Sequence, residues 1–230
     1  IGSIKNNYFP NRVCKDKNLI IYISQWSDSN FKTSKFDIPS DIFFKPTDSF
    51  IINFLADYCA ENKKKFKVLL RNSSNKNNNS LEREKDYFRS MCSRSIKFIA
   101  TNTIFNSYDA CDSAEIVVGT ESTLLYESLA RGNKTAIFSI RDDMLSRTSY
   151  NKIFKVKSFT FGWPGNFEDL GLFWTNKASA IEFHKILSFL INLEMDDWKI
   201  KLKNFELDKL MVFDPGNKIM RSFLKKELQL

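Results

Sequence analysis

The stretch Ala114-Glu115-Ile116-Val117-Val118-Gly119-Thr120-Glu121-Ser122-Thr123-Leu124-Leu125-Tyr126-Glu127-Ser128-Leu129-Ala130-Arg131-Gly132-Asn133-Lys134-Thr135-Ala136-Ile137-Phe138 decides the fold. Ile116-Val117-Val118 is a short apolar run of the β-branched kind that fills a strand buried on both faces. Gly119 and a group of hydroxyl residues follow, and a helical pattern runs from about 120 to 131. Gly132 stands where a helix commonly takes a left-handed C-terminal cap. Thr135-Ala136-Ile137-Phe138 then begins a second buried run. Strand, helix and strand in so short a span point to a parallel pair joined by a helical crossover.

Working outward, three more runs have the same character: Ile20-Ile21-Tyr22-Ile23, Phe66-Lys67-Val68-Leu69-Leu70 and Ile96-Lys97-Phe98-Ile99. Helical patterns separate them. One begins near Asp48 or Ser49 and carries Phe50, Ile51, Phe54, Leu55 and Tyr58 on one face. Another covers 81–91, with Ser80 as its expected N-cap, and a short one surrounds 108–111. This alternation predicts an α/β, Rossmann-like, doubly wound parallel sheet of about five or six strands in the order 3-2-1-4-5. The order then reverses between the first and fourth strands. Beyond them, 161–166 reads as a loop, and helices are expected near 178–193, 196–203 and 216–228, so that 177–230 forms a C-terminal helical extension of a single domain spanning 1–230. The Asn-rich stretch 72–79 reads as a mobile low-complexity loop.

Composition narrows the function classes. The chain has 230 residues, 43% hydrophobic and 27% charged, with no apolar run near the ~20 residues that span a bilayer. The cysteines, Cys14, Cys59, Cys92 and Cys111, show no CxxC spacing, and His184 is the only histidine. That pattern disfavours a zinc site and any mechanism needing two histidines, and suits buried free thiols in a reducing cytoplasm. His184 lies among Phe183, Ile186 and Leu187 and reads as a packing or surface residue. The net charge of +8, partly in Lys63-Lys64-Lys65 and Lys225-Lys226, implies either solvated faces or attraction to something anionic: a nucleotide, nucleic acid or the inner-membrane surface.

In an open α/β sheet, ligands bind beyond the C-terminal ends of the strands, where the order reverses. Two loops lie there. One begins Ser24-Gln25-Trp26-Ser27, the other is Gly119-Thr120-Glu121-Ser122-Thr123. Gly119 permits a tight turn and close ligand approach. Thr120, Ser122 and Thr123 bring hydroxyls to a helix N-terminus, where free N–H groups and the helix dipole favour a phosphate. The plain alternative is that these hydroxyls only cap the helix. Thr120, Thr123, Leu124 and Glu127 share a stripe, which aims Glu127 toward the helix N-terminus unless it is simply solvated. Leu125 and Leu129 face the sheet. Arg71, ending the second strand, either neutralises a phosphate, pairs with a carboxylate, or sits in solvent. Gln25 lies on the same edge, and Trp26 either stacks on a base or covers the core.

The segment 112–138 resembles the donor-site segment of GT-B glycosyltransferases, a helix motif that nucleotide-sugar 2-epimerases share. Gly2-Ser3-Ile4-Lys5-Asn6-Asn7, Gly171-Leu172-Phe173-Trp174-Thr175-Asn176 and Asp214-Pro215-Gly216-Asn217 resemble the bacterial surface-carbohydrate biosynthesis transferases in particular. The resemblance implies that Glu127 binds the donor ribose and that Gly119, Thr120, Ser122 and Thr123 bind the donor phosphates. It implies a nucleotide-sugar substrate, no cofactor, no metal, and a glycan or glycolipid acceptor. The cysteine pattern and the basic charge lead instead to the expectation of cytoplasmic residence with peripheral association at the inner membrane. Glu121, at the loop facing the transferred sugar, is the catalytic candidate. Only the second of the two GT-B domains is represented, so the N-terminal acceptor domain is expected to lie outside this sequence. The alternatives are an epimerase-like enzyme, or a non-catalytic basic domain binding nucleotide or nucleic acid; no nucleic-acid signature supports a specific RNA or DNA partner.

Overall fold

The computed structural model describes residues 3–9, 16–27, 31–32, 37–73, 78–102, 104–148, 159–163, 165–207 and 210–228. Along the chain these form α1 (Ile4–Asn7), β1 (Asp16–Ile23), β2 (Phe31–Lys32), β3 (Asp37–Ile38), α2 (Ser40–Phe43), α3 (Lys45–Glu61), β4 (Lys65–Ser73) and α4 (Asn78–Met91). There follow β5 (Lys97–Thr101), α5 (Ile104–Ser113), β6 (Ala114–Gly119), α6 (Thr123–Ala130), β7 (Thr135–Phe138), α7 (Arg141–Ser146) and β8 (Trp174–Thr175). The tail carries α8 (Ala180–Asn192), α9 (Met195–Asn204) and α10 (Lys218–Leu228).

The main sheet has six strands in the order β5-β4-β1-β6-β7-β8, all parallel. This is the predicted 3-2-1-4-5 arrangement, extended by β8 at the edge. β1 pairs with β4 on one side, Tyr22 opposite Val68, and with β6 on the other, Tyr22 opposite Val118. The reversal point therefore lies between β1 and β6. Crossovers running in opposite directions from β1 put α3 and α4 on one face of the sheet and α5 and α6 on the other. Both faces are covered, and Ile20, Ile21, Ile116, Val117, Val118 and Ile137 are wholly buried. That is why the strand sequences are continuous in apolar residues rather than alternating.

Several details differ from expectation. α4 starts at Asn78, so Ser80 lies inside it instead of capping it. Residues 72 and 73 end β4, and 74–77 lie outside the described residues. α6 begins at Thr123 rather than 120, with Ser122 as N-cap, its hydroxyl accepting from Leu124 N–H at 3.3 Å. Gly132 does take the left-handed conformation, at φ +84°. The hairpin β2–β3 and strand β8 are too short, at two residues per strand, to leave a periodic signal. α8 is a layer of the core and not an appended extension. Its Phe183 stacks on Phe138 of β7 at 3.9 Å, and meets Phe50 and Phe54 of α3 edge-on. α9 buries Trp198 and Leu202, whereas α10 buries nothing.

Cys59 and Cys111 are buried and Cys92 is half-buried; burial pushes the Cys59 thiol up to about 12. Cys14 lies outside the described residues. His184 is exposed on α8, edge-on to the Tyr58 ring at 5.4 Å, as a surface histidine. Among the described residues no helix is long and apolar enough to cross a membrane.

Residues 3–9 and 214–217 meet at the opposite end of the sheet from the reversal-point loops. Arg131, after α6, donates through Nε to Asp112 Oδ1 (2.9 Å) and through Nη2 to Asp112 Oδ2, with both side chains buried. Asn133 Nδ2 adds a bond to Asp112 Oδ1 at 2.8 Å. Arg131 Nη1 reaches the carbonyls of Asn6 (3.3 Å) and Phe9 (3.0 Å). Asn7 in turn accepts from Asp214 N–H at Oδ1 (2.7 Å) and from Gly216 N–H at its carbonyl (2.9 Å), and its Nδ2 donates to Asn217 Oδ1 (2.9 Å). Residues 3–7 and 214–217, from two of the segments quoted above, are thus halves of one clamp.

Candidate functional site

A cavity of about 1080 Å³ opens at the C-terminal edge of the sheet, over the reversal point. Its polar side carries Ser24, Gln25, Arg71, Glu121, Ser122, Thr123 and Arg141; its apolar side is aromatic, with Phe43, Phe44, Phe159, Tyr126, Trp163 and Phe167.

The loop after β1 is held from below. Ser24 Oγ donates to Glu84 Oε1 at 2.5 Å and accepts from Trp26 N–H at 3.1 Å. The same carboxylate oxygen takes Arg71 N–H at 2.9 Å. Glu84, fully buried on α4, therefore ties the ends of β1 and β4 together. Arg71 is exposed, with Nη1 near the carbonyls of Gln25 (3.5 Å) and Trp26 (3.4 Å). Trp26 is buried against Tyr87 at 6.0 Å between ring centres, so it covers the core rather than a ligand.

The loop after β6 is built around an ion pair. Arg141 Nη1 donates to Glu121 Oε2 across the cavity floor. The guanidinium is wrapped by the rings of Phe43 (4.9 Å), Phe44 (4.8 Å) and Phe159 (5.7 Å), an arrangement that desolvates a cation while facing it with π electrons. Gln25 bridges the pair to α6. With the amide turned so that both ends find complementary partners, Nε2 donates to Glu121 Oε2 (3.2 Å) and to Thr120 Oγ1, and the carbonyl accepts Ser122 N–H at 2.9 Å. At this site two buried side-chain atoms have no partner among the described residues: Glu121 Oε1 and Arg141 Nε. Burial pushes the Glu121 carboxyl up to about 7, against the pull of Arg141, with the buried charge of Asp48 adding to the rise. Asp48 itself accepts from Tyr22 Oη (2.6 Å) and Tyr87 Oη (2.9 Å), and burial raises its carboxyl too.

The predicted residues fall into two groups. Gln25, Arg71, Glu121, Ser122 and Thr123 line the cavity. Gly119, Thr120, Trp26 and Glu127 do not. A Cβ on Gly119 would press on Leu125 Cδ1 at 3.0 Å, so this glycine serves the close approach of α6 to β6 rather than that of a ligand. Thr120 is buried beneath Gln25. Glu127, one turn into α6, is buried and accepts from Tyr108 Oη of α5 at 3.0 Å, away from the helix N-terminus toward which its spacing aimed it. Sequence reasoning missed Arg141 and the aromatic wall. Arg141 follows the end of β7 by three residues, and β7 is a strand whose C-terminal end faces the same cleft; extending the strand-end rule to it finds this residue. The phenylalanines at 43, 44 and 159 are indistinguishable in sequence from core residues.

The cavity thus lies at the reversal point of a parallel α/β sheet, with two arginines and the N-terminus of α6 on its polar side. The chain belongs to a family described as putative O-antigen biosynthesis protein, whose model matches residues 1–228. No curated protein matches it. Among solved structures, it is similar to the wall teichoic acid polymerase TagF, at 13% identity and a TM-score of 0.40 over 98% of this chain and 46% of that one. The H548A form of TagF aligns at 13% identity and a TM-score of 0.44, over 97% of this chain and 47% of the other. The chain thus spans about half the length of these structures.

Proposed function

We propose that this chain is the donor-binding half of a glycosyltransferase of the GT-B type, one that moves a sugar from a nucleotide-activated donor to a surface polysaccharide or glycolipid. The observation that carries the reading is the cavity over the β1/β6 reversal point, which joins the N-terminus of α6 to a desolvated arginine with a spare donor. Helix N-termini favour anions, and arginine favours phosphate oxygens in particular. Membership of an O-antigen biosynthesis family supports a carbohydrate substrate.

In this reading the donor phosphates take the polar side of the cavity. They compete there with groups of the protein itself: the Glu121 carboxylate occupies Arg141, and the Gln25 carbonyl occupies Ser122 N–H. A phosphate arriving at Arg141 displaces Glu121, whose carboxyl, at about 7, takes a proton readily near neutral pH. Arg141, Arg71 and the α6 N-terminus then stabilise the charge that develops on the leaving nucleotide phosphate. Glu121, freed and able to gain or lose a proton, is the group suited to proton transfer at the sugar. No cofactor or metal takes part, and the acceptor side of the reaction falls to a second domain. The protein works in the cytoplasm, at the inner-membrane face when its acceptor is lipid-linked. For that peripheral role the support is α10, where Lys218, Arg221, Lys225 and Lys226 accompany exposed Ile219, Phe223 and Leu228.

The test is a thermal-shift and calorimetric screen of the chain and its Arg141→Met variant against UDP, GDP, CDP, CMP and their sugar conjugates. One nucleotide series should stabilise the chain, by about 2.7 kcal/mol at a hundred times its Kd, and should not stabilise the variant. A chain indifferent to every one of them is not a donor domain.

A further inference from the structure

We infer that Trp163 is a stacking platform for the flat, uncharged ring of the ligand in this cavity, a pyranose face or a nucleobase. The inference rests on the donor-site reading and names the residue that grips the part of the donor that the arginines do not.

All four tryptophans of the chain are described. Trp26, Trp174 and Trp198 are 6%, 7% and 0% exposed, whereas Trp163 is 57% exposed and lines the cavity. A single exposed apolar side chain is ordinary on a loose surface loop. Here the turn beneath it is built. Phe161, two residues earlier, is fully buried, stacks on Trp174 at 4.4 Å, and donates its N–H to Asn176 Oδ1 at 2.9 Å. Gly165 N–H closes the turn on Gly162 O at 2.8 Å. Gly162 holds φ +74°, and a Cβ there would collide with the Phe167 ring, so the turn admits little besides glycine at that position.

The decisive bond runs from Gly162 N–H to Tyr126 Oη, at 2.9 Å. Tyr126 belongs to α6, one turn beyond Ser122 and Thr123. The backbone that carries the indole is thereby tied to the helix end that supplies the polar side of the cavity. Among the described residues no aromatic ring packs on it. An exposed indole face beside the polar edge of the cavity suits a molecule with a phosphate at one end and a planar or apolar ring face at the other. Electron-rich indole attracts polarised C–H groups of a sugar face and the π surface of a base alike.

The exposure pattern supplies the experiment. Acrylamide quenching of intrinsic fluorescence reports chiefly on Trp163, since the other three indoles are buried. Quenching is measured on the 230-residue chain with and without saturating pyrophosphate, nucleoside diphosphates and nucleotide sugars, while calorimetry gives the affinities. Stacking predicts protection of Trp163 by the bound ligand. It also predicts that Trp163→Ala weakens binding by about 5- to 150-fold, the equivalent of ~1–3 kcal/mol per stacked ring. Trp163→Phe should retain most of the affinity, and the thermal midpoint of the free chain should be unchanged in both variants. Protection by diphosphates and sugar conjugates alike assigns the base to the indole; protection by sugar conjugates alone assigns the sugar. If a ligand stabilises the chain while Trp163 stays fully quenchable and Trp163→Ala binds equally well, the platform is overturned and the donor site stands. If no nucleotide or nucleotide sugar binds at all, the donor site falls and the platform with it.

Discussion

Two arginine–carboxylate pairs sit at opposite ends of β6, one wholly buried and one with its carboxylate partly exposed, and they are finished differently. At the N-terminal end, Asp112 and Arg131 make a two-pronged pair that is 0% and 1% exposed. Asn133 and the carbonyls of Asn6 and Phe9 take up further hydrogen-bonding capacity. At the C-terminal end, Glu121 and Arg141 touch through one nitrogen, with Glu121 Oε1 and Arg141 Nε left over beside a cavity. A buried charge pair whose other hydrogen bonds are satisfied holds structure in place; one with spare capacity costs free energy unless something completes it. The first pair holds residues 6 and 9 against the end of α6. The second leaves two buried atoms beside a cavity, which suits the proposed exchange of its internal partner for a ligand.

The contrast is broken most forcefully at the clamp. Asp112→Ala leaves a buried, uncompensated guanidinium and should cost about 3–5 kcal/mol, read as a lower urea midpoint. It should also loosen residues 3–9 and 214–217, measurable as faster amide exchange. Arg141→Met should cost less, about 1–3 kcal/mol, because Glu121 can neutralise itself by protonation. Its larger consequence is the loss of nucleotide-induced stabilisation. Were the two variants equally destabilised, the distinction between a structural and a binding pair would collapse.

Glu121→Gln sharpens the comparison through pH. Because the folded chain holds the Glu121 proton up to about 7, against an ordinary 4.5, this group favours the folded state fully below about pH 4.5. That contribution fades as pH rises through 7. The glutamine variant should lack this decline, so stability curves of the two proteins, measured by urea denaturation from pH 4.5 to 8, should diverge with rising pH. The variant should also bind nucleotide more tightly, since Arg141 no longer carries a competing carboxylate. The smallest effect belongs to Thr123→Ala. Thr123 is exposed, so stability should change by less than about 0.5 kcal/mol. A several-fold weaker nucleotide affinity by calorimetry would mark its hydroxyl as a ligand contact.

Much of the fold was legible because strands covered on both faces must be apolar throughout, and helices between them must not be. The runs at 116–118 and 135–138, with Gly132 between, sufficed to place β6, α6 and β7 and hence the edge where the cavity opens. The two loops at that edge followed from connectivity, and Gln25, Arg71, Glu121, Ser122 and Thr123 with them. Glu127 was misdirected because helical spacing gives the angle of a side chain about its own axis and not the neighbour that claims it; Tyr108, from a different helix, does so.

What the sequence determined by itself is local: which segments are strands and helices, in what order they lie in the sheet, and which end of the sheet carries polar loops. Backbone sterics and hydrophobic period act over a few residues and are written there. The tertiary structure alone decided which charges share a cavity and which are locked away. Glu121 and Arg141 are separated by α6 and β7, and Asp112 and Arg131 by β6 and α6. Nothing in their spacing distinguishes the open pair from the closed one. That difference arises from long-range packing: three phenylalanine rings wrapped around one guanidinium, and residues 6 and 9 closed over the other.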